Sequence, residues 1–190
     1  MPTKLLSRFE PPLPFTYIGN RKLLSLSSTA LLCSLKYTGE SVLNAYDIAV
    51  NLREKKTPVI GGFHSPVEKD MLRVLWRGSQ PITIVLARSL ENMRLPRAYR
   101  QPLEEGRLLL LSPFAEGRPR PTKEMSAYRN LVVGALAEKI LIIHASPGGM
   151  LEAQCAQFLE WGKPVYTLAH EANARLIEQG VKPICSLNDL

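Results

Sequence analysis

The sequence predicts a doubly wound α/β domain of Rossmann-like type, with a mainly parallel sheet and helices on both faces. Three observations predict it. Six short segments are aliphatic almost throughout, as strands buried on both faces are. Longer stretches between them carry apolar residues at helical spacing. The two kinds alternate along the chain, the order expected of parallel strands joined by crossover helices.

Residues 1–14, MPTKLLSRFEPPLP, are rich in proline and read as an N-terminal arm; residues 15–190 read as a single domain. The first strand is TALLCSL (29–35), followed by the amphipathic stretch GESVLNAYDIAVNLREK. TPVIGG (57–62) is the second strand and SPVEKDMLRVLWRG the second helix. PITIVLA (81–87) and RLLLLS (107–112) are strands, and FAEGRPRPTKE (114–124) is an exposed basic loop. EMSAYRNLVVGALAEK is helical, with Tyr128, Val132 and Ala135 as its apolar stripe. EKILIIHA (138–145) is a strand, and GMLEAQCAQFLEWGK a helix with Leu151, Cys155, Phe158 and Leu159 on one face. KPVYTLA (163–169) is the last strand.

Composition narrows the function classes. A chain of 190 residues, 45% hydrophobic and 22% charged, has ordinary globular composition. At that length one domain buries about 70% of its unfolded surface, so neither a metal nor a disulfide is needed for stability. Cys33, Cys155 and Cys185 are far apart, form no CxxC pair and are expected to be reduced. The N-terminus has no signal-type apolar core, and no apolar run approaches the roughly 18 residues that cross a bilayer. A cytoplasmic protein without a membrane partner is expected. The formal charge of +7 favours polyanions. Arginine dominates between residues 88 and 129, at Arg88, Arg94, Arg97, Arg100, Arg107, Arg118, Arg120 and Arg129 with Lys123, and its planar fork suits phosphate oxygens.

Ligands of such folds bind at the carboxyl ends of the strands. Three strand-to-helix junctions there hold small residues: CSLKYTGES (33–41), IGGFHSPVE (60–68) and HASPGGMLE (144–152). Gly148 and Gly149 either admit a phosphate to bare backbone amides or make a tight turn that needs positive φ. Glu152 is either a catalytic carboxylate or a partner of the helix dipole. Lys36 is the better phosphate candidate, with Ser34, Thr38 and Ser41 as support. Arg129 and Asn130 sit off the apolar stripe, where an arginine clamps phosphate or is simply solvated. His64 and His144 each follow a strand, and either meet at the sheet edge to move protons or bond to backbone. The GxGxxG and GxxxxGK[ST] phosphate motifs and HExxH metal spacing are absent, so no cofactor and no metal are expected.

Taken in order, the turn Gly61-Gly62-Phe63, then GRLLLLSPF (106–114), YRNLVVGAL (128–136), PGGMLEAQCA (147–156) and GKPVYTL (162–168) resemble the DNA-processing protein A (DprA/Smf) family. The resemblance spans roughly residues 15–168. It implies binding of single-stranded DNA without sequence preference, a RecA-type recombinase as partner, and dimerisation through this domain. It places Lys36 at the family's turn arginine, Arg129 and Asn130 on its Arg-Asn pair, Gly61 and Gly62 on its Ser-Gly turn, and Pro147-Gly148-Gly149 on its Ser-Gly-Ser. Phe63 either stacks on a base or belongs to the core. HSPVEKDM departs from the family's second loop. PGGMLE is also similar to the PGGxGTxxE of lysine-decarboxylase-like nucleotide hydrolases. There Arg129 and Glu152 would hold phosphate and act on ribose in a nucleoside-monophosphate N-glycosidase. A nucleotide-sensing module is the third reading.

Overall fold

The chain is described from a computed structural model, which covers residues 15–36 and 39–186, without the side chains of Glu40 and Ser41. The expected arm and Thr38 lie outside these residues, as does the side chain of Ser41.

Among the described residues eight strands form one sheet: β1 (Thr16–Gly19), β2 (Thr29–Cys33), β3 (Val59–Gly61), β4 (Ile82–Val85), β5 (Leu108–Ser112), β6 (Lys139–His144), β7 (Val165–Leu168) and β8 (Lys182–Ile184). Their spatial order is β1-β5-β4-β3-β2-β6-β7-β8. Every pair is parallel except β1 with β5. The described residues also form six α-helices: α1 (Gly39–Glu54), α2 (Pro66–Leu75), α3 (Arg97–Glu104), α4 (Lys123–Leu136), α5 (Met150–Glu160) and α6 (Ala174–Glu178).

Alternation along the central strands sends side chains to two separate cores. Ala30 and Leu32 of β2, with Ile140 and Ile142 of β6, pack beneath α4 and α5. Leu31 and Cys33, with Leu141 and Ile143, pack beneath α1 and α2. The expected double winding is therefore present, and the strands read as apolar throughout are those buried on both faces.

The chain runs outward from β2 through β3, β4 and β5, then crosses back to lay β6 on the other side of β2. Neighbouring loops after β2 and β6 thus leave in opposite directions, opening a crevice at the carboxyl edge. Two edge strands and two helices were not foreseen. β1 is largely exposed, and β8 contains Pro183, which an edge strand tolerates. α3 carries Pro102 within eight residues, and α6 has only five. Among the described residues no helix is long and apolar enough to cross a membrane. None of their His, Cys, Asp and Glu residues form a group of three or more fit for a metal ion.

Candidate nucleic-acid interface

The crevice is a cavity of about 580 Å³. Cys33 to Lys36 at the end of β2 and beyond it, His64, Ser65 and Glu68 after β3, and Ser146 with Gly149 to Leu151 after β6 form three of its sides. Pro121 to Lys123, Ser126, Arg129 and Asn130 close it. All three junctions singled out in the sequence converge here. They are stitched together by backbone and serine bonds: Ser34 N–H donates to His144 O (2.9 Å), Ser146 N–H to Ser34 Oγ (3.0 Å), and Ser146 Oγ to Lys36 O (3.2 Å).

Arg129 differs from its sequence reading. It does not sit off the buried face but is only 5% exposed, because Met125, Arg129 and Val132 follow one another on the side of α4 turned to the sheet. Its Nε donates to Asn130 Oδ1 (2.9 Å) and its Nη1 points to Val85 O (3.5 Å). Asn130, also buried, donates onward to Gln154 Oε1 (3.2 Å), and Gln154 Nε2 donates to Ala127 O (2.7 Å). The pair on α4 is thereby tied to α5. Burial pushes the Arg129 guanidinium below its ordinary value, and the Glu68 carboxylate opposes that.

Glu68 is a site residue that the sequence reading passed over. It is buried and accepts from three backbone amides: Cys33 (2.9 Å), His64 (2.7 Å) and Ser65 (3.0 Å). Ser65 Oγ in turn accepts from Glu68 N (3.2 Å), completing a capping box at the start of α2. The S-P-V-E spacing at 65–68, with proline in the first turn, was the signal available. The carboxylate joins the ends of β2 and β3 and places a negative charge beside Arg129.

The glycines shape the site rather than line it, Gly149 excepted. Gly61 is a strand residue paired with Leu31 and Ile84. A Cβ on Gly62 would lie 1.7 Å from Arg129 Nη1, so the missing side chain is the guanidinium's seat. Gly148 has φ +67°, the left-handed turn that glycine allows. Both amides of the turn are occupied: Gly148 N–H donates to Glu152 Oε2 (2.6 Å) and Gly149 N–H to Ser146 O (2.9 Å). The expectation that these two amides hold phosphate is corrected accordingly. Gly149 caps α5 without a side-chain bond, and Met150 and Leu151, whose amides open that helix without a partner inside it, line the cavity.

Phe63 is not a stacking platform. It is 5% exposed and its ring packs in the core beneath α1 and α2, close over Gly61. Its φ of +47° is costly for a residue with a side chain and marks a turn bent by packing. Glu152 is buried behind the cavity wall, with Oε1 paired to Arg175 Nε (2.9 Å) and Oε2 taken by Gly148. One oxygen holds the turn and the other an arginine of α6, which gives the catalytic alternative no support. The two histidines are kept apart in role. His144 is buried and its Nδ1 bonds Asn173 Oδ1 (3.1 Å), while His64 stands exposed on the cavity wall. Burial, then Arg129 and Lys69, lowers His64 below its ordinary value, with Glu68 opposing. Lys36 and Lys123 are exposed on the rim. Cys33, in the floor, is pushed up to about 12 by burial and by Glu68, and is an inert thiol.

The arrangement is a cationic pocket at a topological switch point, with a preorganised guanidinium in the floor and two lysines at the rim. Across residues 1–190 the sequence matches the model of the DNA recombination-mediator protein A family. The chain belongs to that family. Its fold is similar to DNA processing protein A of Streptococcus pneumoniae, at 17% identity and a TM-score of 0.79 over 97% of this chain and 68% of that one. It is equally similar to the Helicobacter pylori protein, described for its single-stranded DNA binding mode, at 18% identity and a TM-score of 0.79 over 98% and 89%. The molybdenum cofactor carrier protein of Chlamydomonas reinhardtii shares the fold more loosely, at 14% identity and a TM-score of 0.57 over 85% and 91%. No curated protein sequence matches the chain.

Proposed function

We propose that this member of the recombination-mediator family binds single-stranded DNA without sequence preference, seating a backbone phosphate in the cavity between β2 and β6. The single observation that carries the reading is Arg129: a buried guanidinium, lining a cavity of about 580 Å³ and held there by Asn130 over a glycine that leaves it room. Burying a cation costs free energy unless a partner of opposite charge compensates it. Glu68 supplies part of that compensation, and an entering phosphate would supply the rest. Lys36 and Lys123 would neutralise flanking phosphates, and the amides opening α5 would add uncharged donors. Because these groups meet phosphate and not base edges, affinity should be indifferent to sequence.

In this reading residues 15–190 act as one DNA-binding domain in the cytoplasm, and a RecA-type recombinase and a second copy of the chain are the protein partners. The family membership and the fold shared with the Helicobacter pylori protein support the reading. Fluorescence anisotropy with labelled oligonucleotides of several sequences tests it. Lys36→Ala should weaken binding to all of them alike and reduce the log–log salt slope by roughly 0.7. Binding that depends on sequence, or a slope unchanged by the substitution, would reject it.

A further inference from the structure

The basic loop between β5 and α4 forms no part of the cavity floor, yet its position is strongly determined. Ser112 Oγ accepts from Phe114 N (3.1 Å) and donates to Arg88 O (2.7 Å). Glu91 Oε2 accepts from Gly117 N (2.8 Å), and Ser89 N donates to Arg118 O (2.9 Å). The first of these bonds folds the β5 end back on itself, and the other three stitch the loop after β4 to the loop after β5. Beyond them the chain reads Arg118-Pro119-Arg120-Pro121. Proline fixes its own φ and biases the residue before it toward extended backbone, so both arginines are held on a stiff segment. That segment ends in the cavity wall itself, at Pro121 to Lys123.

Charge and exposure suit a polyanion. Arg118 and Arg120 are exposed, and no described acidic side chain pairs with either. The two acids of the stitched loops are Glu91, engaged by the Gly117 amide, and Glu116. A protein-docking face needs an apolar centre. Among the described residues the large exposed apolar side chains are Tyr17, Leu26, Leu35, Leu43 and Tyr46, none in either loop. Tyr17, on the neighbouring edge strand, already carries the Arg21 guanidinium over its ring.

We propose that Arg118 and Arg120, backed by Arg88, form a second phosphate-binding ledge that continues the cavity site along the carboxyl edge toward β1. The proposal rests on the DNA reading of the cavity. From Lys123 to Arg118 is at most about 18 Å of extended chain, so the ledge holds further nucleotides of the strand whose phosphate enters the cavity. Its stiffness means little ordering on binding, and each contact should release counterions as the cavity contacts do.

The test is anisotropy at low salt with oligothymidylates of increasing length, from a trinucleotide upward. It compares the natural protein, the double variant Arg118→Ala/Arg120→Ala, its Arg→Lys counterpart, and Lys36→Ala. The natural protein should gain affinity with length beyond the trinucleotide. The alanine pair should bind the trinucleotide as the natural protein does, lose that gain, and show a salt slope on long strands lower by roughly 1.4, two contacts at 0.7 each. The lysine pair should keep most of the gain. Unchanged thermal unfolding of all variants shows that the fold is intact. If the alanine pair matches the natural protein at every length while Lys36→Ala weakens binding, the ledge proposal fails and the cavity reading stands, with the ledge left to an acidic protein. If no oligonucleotide binds at low salt, both fail.

Discussion

Substituting Gly62 by alanine should disable the site without touching a charged group. The added Cβ would lie 1.7 Å from Arg129 Nη1 and 2.0 Å from Cζ, so the guanidinium must leave its seat. Its way out is the cavity it already lines. Leaving breaks the 2.9 Å bond from Nε to Asn130, worth about 1.5–3 kcal/mol for a charged donor. Rehydration of a group that burial had strained returns part of this. The net stability loss should be about 1–2 kcal/mol, or a few degrees in Tm at about 2–4 °C per kcal/mol. Affinity for an oligothymidylate should fall at least about tenfold, since the donor is no longer preorganised. In an Arg129→Ala background the three atoms nearest to the same methyl, all of the guanidinium group, are gone. There Gly62→Ala should cost under about 0.5 kcal/mol, or stabilise by restricting the unfolded chain. Urea unfolding of the four proteins, with anisotropy on each, gives the cycle. Additive stability costs, or native affinity in Gly62→Ala, would refute the claim that this glycine exists to seat the arginine.

Three further outcomes are expected. His64 is held below its ordinary value, so the stability its neutral ring contributes is present above the unfolded value near 6.5 and lost as pH falls through it. A bound phosphate favours the charged ring; oligonucleotide affinity should therefore rise as pH drops from 7 to about 5.5, and His64→Asn should flatten that rise. Burial, with Glu68 and Glu152 nearby, holds Cys33 up to about 12 and Cys155 up to about 11. At pH 8 Ellman's reagent should label exposed Cys185 quickly and the other two only on unfolding, and stability should decline as pH rises above about 9, where unfolded thiols ionise. Glu152→Gln keeps an acceptor for Gly148 but loses the charge facing Arg175, which is 61% exposed; the cost should be at most about 1 kcal/mol. Neither protein should release free base from a nucleoside monophosphate, and turnover that disappears with the substitution would favour the hydrolase reading.

The strands that built the site were legible because burial on both faces removes polar residues from them. β2, β5 and β6 are apolar but for their end residues, so their loops can be placed at one edge from the sequence. β1 and β8 escaped because an edge strand has one neighbour and keeps exposed residues. The charged heart of the site was harder to read. Periodicity through Tyr128 put Arg129 on a solvated face, but Met125 marks the face turned to the sheet, and near the strand ends that face overlooks a cavity instead of a core. No local pattern tells that Gly62 lies beneath a side chain 67 positions away, since the contact is made by topology alone. The sequence leaves Phe63 between base stacking and the core; at a left-handed φ its ring packs into the core. The sequence leaves the PGG segment between a phosphate cradle and a tight turn, because nothing local shows that its amides are claimed by Glu152 and Ser146.

The location of a bound strand tests the central claim most directly. In a crystal structure of the protein with a short oligothymidylate, a phosphate should lie in the cavity between β2 and β6, within hydrogen-bonding distance of the Arg129 guanidinium. Lys36 and Lys123 should flank it, and the Gly148 amide should still be bonded to Glu152. An ordered strand that leaves the cavity empty, or one whose phosphates contact only residues outside it, would contradict the account.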